Sequence, residues 1–465
     1  MEQVRILCAL CAAGCILAQE QKPDDPKSPD ASSTDQKPDD PRDPNPAYQG
    51  PSILSRDQSL IGERGGNLLD FRYYVEVSGV YDSGLATLST NALGNLINVG
   101  AAYGVETGFG VIGSRKWKRD KLSLEYKGAY RQYSASNIAQ GLDQFLNLAY
   151  SCQLSPRLIL DLKDTAGTVS LANGAFSYLP LSNTDLFALP ANELFDIRTN
   201  FVQSRVDLTW QQTARLSFGV GGEGFVVRRS SLALAGLDGY DARANVAYRL
   251  TSRQTLTGDY NYIYYDFQRA FGDSKLQMVS LGYSVGLSRK WDLSLRGGAI
   301  RIDSLGITQV SIDPAIAEIV GQSFADVTYA RVVYAPLEEA RLMRRFDRSS
   351  LTLDYSVGAT PGNGVYLTSR QTAGTARYSY TGYRRWTFAL NSGFSELSAV
   401  GQTLGKYTNL QGGTGVTYKV GHDTHIQFRY DYRHYTTQNT VYQKDSSRLS
   451  LGLAFSPGER PLAIW

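Results

Sequence analysis

The sequence predicts an all-β fold, a single closed antiparallel transmembrane β-barrel of about 18 strands. Three observations lead there. First, apolar and polar residues alternate in long arms: Val279, Leu281, Tyr283, Val285 and Leu287 against Ser280, Gly282, Ser284 and Gly286, then Leu293, Leu295 and Ala299 against Ser294, Arg296 and Gly298. Side chains of a strand alternate faces, so each arm carries one apolar face and one small or charged face. Second, short polar turns recur at similar spacing. Third, no run of 18 apolar residues occurs, which excludes a spanning helix. In lipid, backbone groups must pair internally, and a closed barrel is the strand solution to that demand.

Residues 1–18 predict an export signal: Arg5 precedes an apolar run from Ile6 to Ala18, with cleavage after Ala18. Ala12-Ala13-Gly14-Cys15 offers a lipoprotein box as the rival reading. With the leader gone, Cys152 stands alone and no intramolecular disulfide forms.

Residues 19–51 repeat QKPDDP at Gln21–Pro26 and Gln36–Pro41. Proline removes donors and the charges resist collapse, so the stretch reads as a disordered linker, a spacer or an arm towards a periplasmic partner. Residues 52–69 are left unassigned. The barrel is expected over 70–456, followed by a C-terminal tail, 457–465.

Within the barrel the first arm sets Phe71, Tyr73, Val75 and Val77 against Arg72, Glu76 and Ser78. Turns follow at Ser114, Ser155, Gln212, Thr251, Ser288, Arg345, Tyr383 and Gly421; from first residue to first residue they lie 41, 57, 39, 37, 57, 38 and 38 apart. A spacing near 38 fits two strands, a tight turn and a longer loop. These short turns are expected at the periplasmic rim, with Trp117, Trp291 and Trp386 as interfacial aromatics. The turn at Arg345 follows an arm containing Pro336, and without it 16 strands would remain. A soluble propeller also repeats near 40 residues. Its blades are packed on both faces, whereas here Tyr260, Tyr262 and Tyr264 oppose Thr257, Asp259 and Asn261.

Strand-by-strand alternation assigns Arg72, Glu76, Glu106, Glu125, Lys127, Arg131, Asp161, Lys163, Arg205, Asp207 and Glu223 to the lumen. It adds Asp241, Arg243, Arg249, Asp259, Arg296, Asp354, Arg377, Arg429, Asp431, Arg433 and Arg448. With 12 basic and 10 acidic residues, the wall implies at most a weak anion preference, or cross-strand pairs that stiffen it.

Two long loops are expected on the outer rim. Thr168 to Asn200 carries Asp185, Glu193 and Asp196 as a candidate constriction; Asp303 to Val327 contains Asp313-Pro314, a helix start. Net charge of +3 is too small to argue for nucleic acid. His422-Asp423-Thr424-His425 lacks a third metal ligand, and no phosphate loop or nucleophile–base pair suggests an enzyme, so no cofactor is assigned.

The export signal, the alternating arms, the Trp-closed turns and the aromatic C-terminus (Phe455 or Trp465) together resemble the porin-like outer-membrane β-barrels. That resemblance implies passive diffusion of small hydrophilic solutes through a charged lumen, contact with outer-membrane lipid and recognition by the barrel assembly machinery. The third loop of general porins resembles a fold-in, which is why the acids of 168–200 are singled out. Trimers resemble general porins too, but the sequence shows no homo-oligomer interface. The alternative is a plugged barrel that displays its external loops or anchors a periplasmic partner through its tail.

Overall fold

The computed structural model describes residues 70–83, 89–90, 96–97, 101–134, 141–169, 198–230, 234–311, 324–381, 385–401, 405–421, 423–437 and 442–457. The expected leader, linker and unassigned segment lie outside these residues, as do 458–465 with Trp465. The first strand is β1 (Asp70–Asp82), followed by a two-residue ladder, β2 (Ser89–Thr90) with β3 (Leu96–Ile97). Then come β4 (Ala102–Lys116), β5 (Asp120–Tyr133), β6 (Gly141–Ser155), β7 (Leu158–Val169), β8 (Thr199–Gln211), β9 (Leu216–Arg229), β10 (Gly236–Thr251), β11 (Gln254–Gln268) and β12 (Asp273–Gly286). The chain continues through β13 (Trp291–Ser311), β14 (Phe324–Arg345), β15 (Ser349–Thr360), β16 (Ser369–Tyr380), β17 (Trp386–Ala399), β18 (Tyr407–Lys419), β19 (Thr424–Thr437) and β20 (Tyr442–Phe455).

β1 and β4–β20 make one 18-stranded sheet. Every pairing is antiparallel between sequence neighbours, and β1 pairs with both β4 and β20, which closes the barrel. Eighteen strands rather than 16 form because the turn after Arg345 is present, with Phe346 N donating to Ser349 O at 2.7 Å.

The short turns among the described residues lie at one rim, and four of them share the chemistry behind the repeating sequence grammar. A Ser or Thr hydroxyl accepts the N–H of a basic residue two positions on: Arg157 to Ser155 Oγ at 3.3 Å, and Arg215 to Thr213 Oγ1, Arg253 to Thr251 Oγ1 and Lys290 to Ser288 Oγ at 3.2 Å each. The hydroxyl replaces a missing ladder partner, and the Lys or Arg side chain stays in water.

The described parts of the expected loop from Asp303 to Val327, 303–311 and 324–327, are strand instead. β13 and β14 run 21 and 22 residues and pair as far as Ser311 with Phe324. Apolar and polar residues still alternate through Leu305 and Ile307, a signal the Asp-Pro pair obscured. The Asp313-Pro314 helix start falls outside the described residues. β14 pairs with β15 only from Glu338 to Arg345, so Pro336 sits where β14 has a ladder on one side alone, and its missing N–H leaves no gap.

The outward face is apolar, with Val279, Leu281, Leu390, Leu451 and Leu453 among its most exposed side chains. The inward face departs from expectation. Towards the long-loop rim it is a packed apolar layer including Phe225, Val227, Ile263, Tyr265, Leu276, Ile300 and Ile302, five of which have no exposed surface. Alternation fixes which face a residue takes. It does not report that inward residues of neighbouring strands turn apolar together at one height.

Candidate functional site: the barrel lumen

Below the apolar layer the inward face is charged, and cross-strand register brings the charges together. On β8–β15, Arg243 stands among three carboxylates: Glu223 at 3.0 Å, Asp241 at 3.3 Å and Asp207 at 3.4 Å. Arg205 also bonds Asp207, and Gln203 donates to Glu223 at 2.6 Å. Arg296 lies between Glu339 at 3.2 Å and Asp259 at 3.5 Å, and Arg341 meets Asp354 at 3.4 Å. A cavity of about 430 Å³ opens against this belt. Its charged lining is Asp161, Asp207, Asp241, Asp259, Glu339 and Asp354 with Arg205, Arg243 and Arg296; Met278, Leu337 and Ala359 contribute its apolar part.

A second group gathers at the closure of the barrel. Arg448 of β20 reaches Glu106 of β4 across the intervening β1, with both side chains nearly covered. Asp82 is buried in register with Arg448, and Gln427 donates to Glu76 at 3.4 Å. Arg429 bonds Asp431 at 2.6 Å, and Lys127 bonds Glu125. Arg131 is fully buried, 4.0 Å from Asp143, which also receives Arg198 at 3.5 Å.

The remaining predicted wall residues are placed by their ladder register. Lys163 is in register with Arg205, Arg377 with Thr352 and Asn391, and Arg433 with Gln411 and Ser446. Arg249 is exposed, and Arg72 pairs with Ile112 in register. Among the described residues, the inward charges that went unpredicted include Asp82, Asp143, Arg229, Glu339 and Arg341. The Glu338-Glu339 doublet breaks the alternation that would have sorted its members, but the two-residue step from Leu337 to Glu339 and Arg341 places both inward.

The described inward-folding connection is not the one expected. Asp185, Glu193 and Asp196 lie outside the described residues. Residues 361–368, between β15 and β16, reach across to three other parts of the wall. Ala235 N donates to Gly364 O at 3.1 Å, Thr368 Oγ1 donates to Ser274 Oγ at 2.5 Å, and Val400 N donates to Thr368 O at 2.8 Å. Tyr366 packs with Leu397, Tyr407 and Tyr435 on one side, and Leu367 packs against the β9–β14 apolar layer on the other. The Tyr366 hydroxyl donates to Gly405 O at 2.8 Å, and burial pushes this phenol's pKa up. Asn363 Oδ1 accepts the N–H of Val365 at 3.3 Å and of Tyr366 at 3.0 Å, which holds the turn shut.

At the short-turn rim, Arg115 lies 5.0 Å from the Trp117 ring, Arg344 lies 4.7 Å from Trp291, and Trp386 packs 4.6 Å from Tyr418. Trp210, stacked on Phe218 at 5.8 Å, joins this belt unpredicted.

No family model matches the sequence, and no curated relative matches it. Solved structures are similar in fold. OccK5 (OpdH) of Pseudomonas aeruginosa is 14% identical, covering 86% of this chain and 100% of that one, with a TM-score of 0.40. A BenF-like porin from Pseudomonas fluorescens Pf-5 is 12% identical over 84% and 100%, with a TM-score of 0.44. OccK2 (OpdF) of Pseudomonas aeruginosa, solved with glucuronate, is 13% identical over 84% and 100%, with a TM-score of 0.43. Likeness this distant assigns no solute to the present chain. By its closure, its strand number and its apolar outer face, the chain is a closed 18-stranded antiparallel β-barrel built to stand in a lipid bilayer.

Proposed function

We propose that the chain is an outer-membrane channel through which small hydrophilic solutes diffuse passively. One observation carries the reading: a closed barrel, apolar outside, holds a charged wall beside a cavity of about 430 Å³. Buried charge is costly unless it is paired or hydrated, and a barrel that only anchored loops would gain little from a belt of this density. The inward charges line the solute path, outer-membrane lipid surrounds the barrel, and the C-terminal aromatics serve its assembly. The reading is transport, not catalysis.

The apolar layer and residues 361–368 favour one rival, a plugged barrel with an interaction role. Planar-bilayer conductance of the refolded protein separates the two. A channel gives discrete steps, and deleting 362–367 enlarges them about twofold or more, as expected when a constriction widens. Silence from both the intact and the shortened protein would overturn the channel reading in favour of a plugged scaffold.

A further inference from the structure

The balance of charge differs between the whole wall and the cavity. Six carboxylates and three guanidinium groups line the cavity, a formal charge of 3 − 6 = −3. Adding the next groups outward, Glu223 bonded to Arg243, Arg341 bonded to Asp354 and Lys163 in register with Arg205, gives 5 − 7 = −2, still negative. Each of these arginines is already engaged by at least one carboxylate. A passing anion would have to displace a carboxylate from its guanidinium. A cation meets carboxylate oxygens that still have accepting capacity.

Two buried atoms show that capacity. Asp241 Oδ1, in a residue only 4% exposed, and Asp259 Oδ2 stand 3.3 Å from Arg243 and 3.5 Å from Arg296 as ion pairs, yet neither accepts a hydrogen bond. Asp161 has neither an ion pair nor a hydrogen bond among the described residues, lines the cavity, and stands directly opposite Asp207 in the β7–β8 ladder. Like charges facing each other across a ladder cost stability, so the pair's negative potential is a standing feature of the wall.

Resting on the channel reading above, we propose that the pore passes cations in preference to anions and that Asp161 is a determinant of that preference. Exposed charges more than about 8 Å away are screened at physiological salt, so the local balance outweighs the even count over the full wall. A narrow low-dielectric passage concentrates the field further.

The test is the reversal potential of the purified full chain in a planar bilayer under a KCl gradient. The expected permeability ratio of K⁺ to Cl⁻ is about 3 or more. Asp161→Asn, which removes no described contact, lowers the ratio about twofold, and Arg296→Gln, which releases Asp259 and Glu339, raises it. A ratio at or below one in a conducting protein overturns this inference and leaves the channel reading standing. So does a ratio that neither substitution moves. An absence of conductance overturns both.

Discussion

A single outward side chain shows how strictly the lipid-facing surface is specified. Glu338 is exposed on the outer face of β14, two residues from Pro336 on one side and Ala340 on the other, with Gly297 opposite. Its neighbour Glu339 points inward to Arg296, as alternation demands. Glu338 has no ion pair or hydrogen bond among the described residues, and the surrounding outer dent is lined by Leu256, Leu281, Leu295 and Tyr355. A carboxylate in an apolar belt is less costly than a Lys or Arg but still unfavourable. Glu338→Leu should therefore stabilise the barrel by about 1 kcal/mol in reversible urea unfolding from lipid vesicles, with conductance unchanged. A destabilised variant would mean that the carboxylate has a partner outside the described residues.

At the scale of elements, legibility depended on what kind of signal an element leaves. The strands were readable because alternation and the Ser/Thr-x-Lys/Arg turns are local chemistry, repeated at Ser155, Thr251 and Ser288. Residues 361–368 left no such trace: the connection is short, carries no charge and differs from a surface turn only in what it touches. Gly362, with φ at +74°, is a backbone requirement, since a Cβ there would lie 1.8 Å from Tyr366 O. Gly362→Ala should unseat the segment at a local cost of about 1–3 kcal/mol, raising single-channel conductance while the barrel's unfolding midpoint holds. Unchanged conductance would show that the segment does not narrow the path. Alternation along each strand offers a set of candidate wall residues. The pairings within that set were not legible, because Arg448 and Glu106 lie 342 residues apart in sequence and meet only through closure.

Closure is the property of the whole molecule on which all the rest depends, and it is made by a short seam. β1 and β20 are in register only from Val75–Phe455 to Asp82–Arg448, whereas β1 and β4 pair from Asp70–Ser114 to Asp82–Ala102. Nearest-neighbour hairpins such as β12–β13 close short loops, while the seam joins the two ends of the barrel chain and bears the largest loop-closure entropy. The inward ion pair of Arg448 with Glu106 spans that seam, because β20 and β4 flank β1 on its two sides. One partner removed leaves the other charge buried and uncompensated, which typically costs about 3–5 kcal/mol. Arg448→Ala should thus unfold faster and exchange amide hydrogens first in β1 and β20, with β10–β13 still protected. Removing both partners, as Arg448→Met with Glu106→Leu, should recover the part of the loss that comes from stranding Glu106, while buried Asp82, in register with Arg448, keeps the remainder. Uniform exchange across all strands in the single variant would show that the seam has no separate stability and that the barrel opens as one unit.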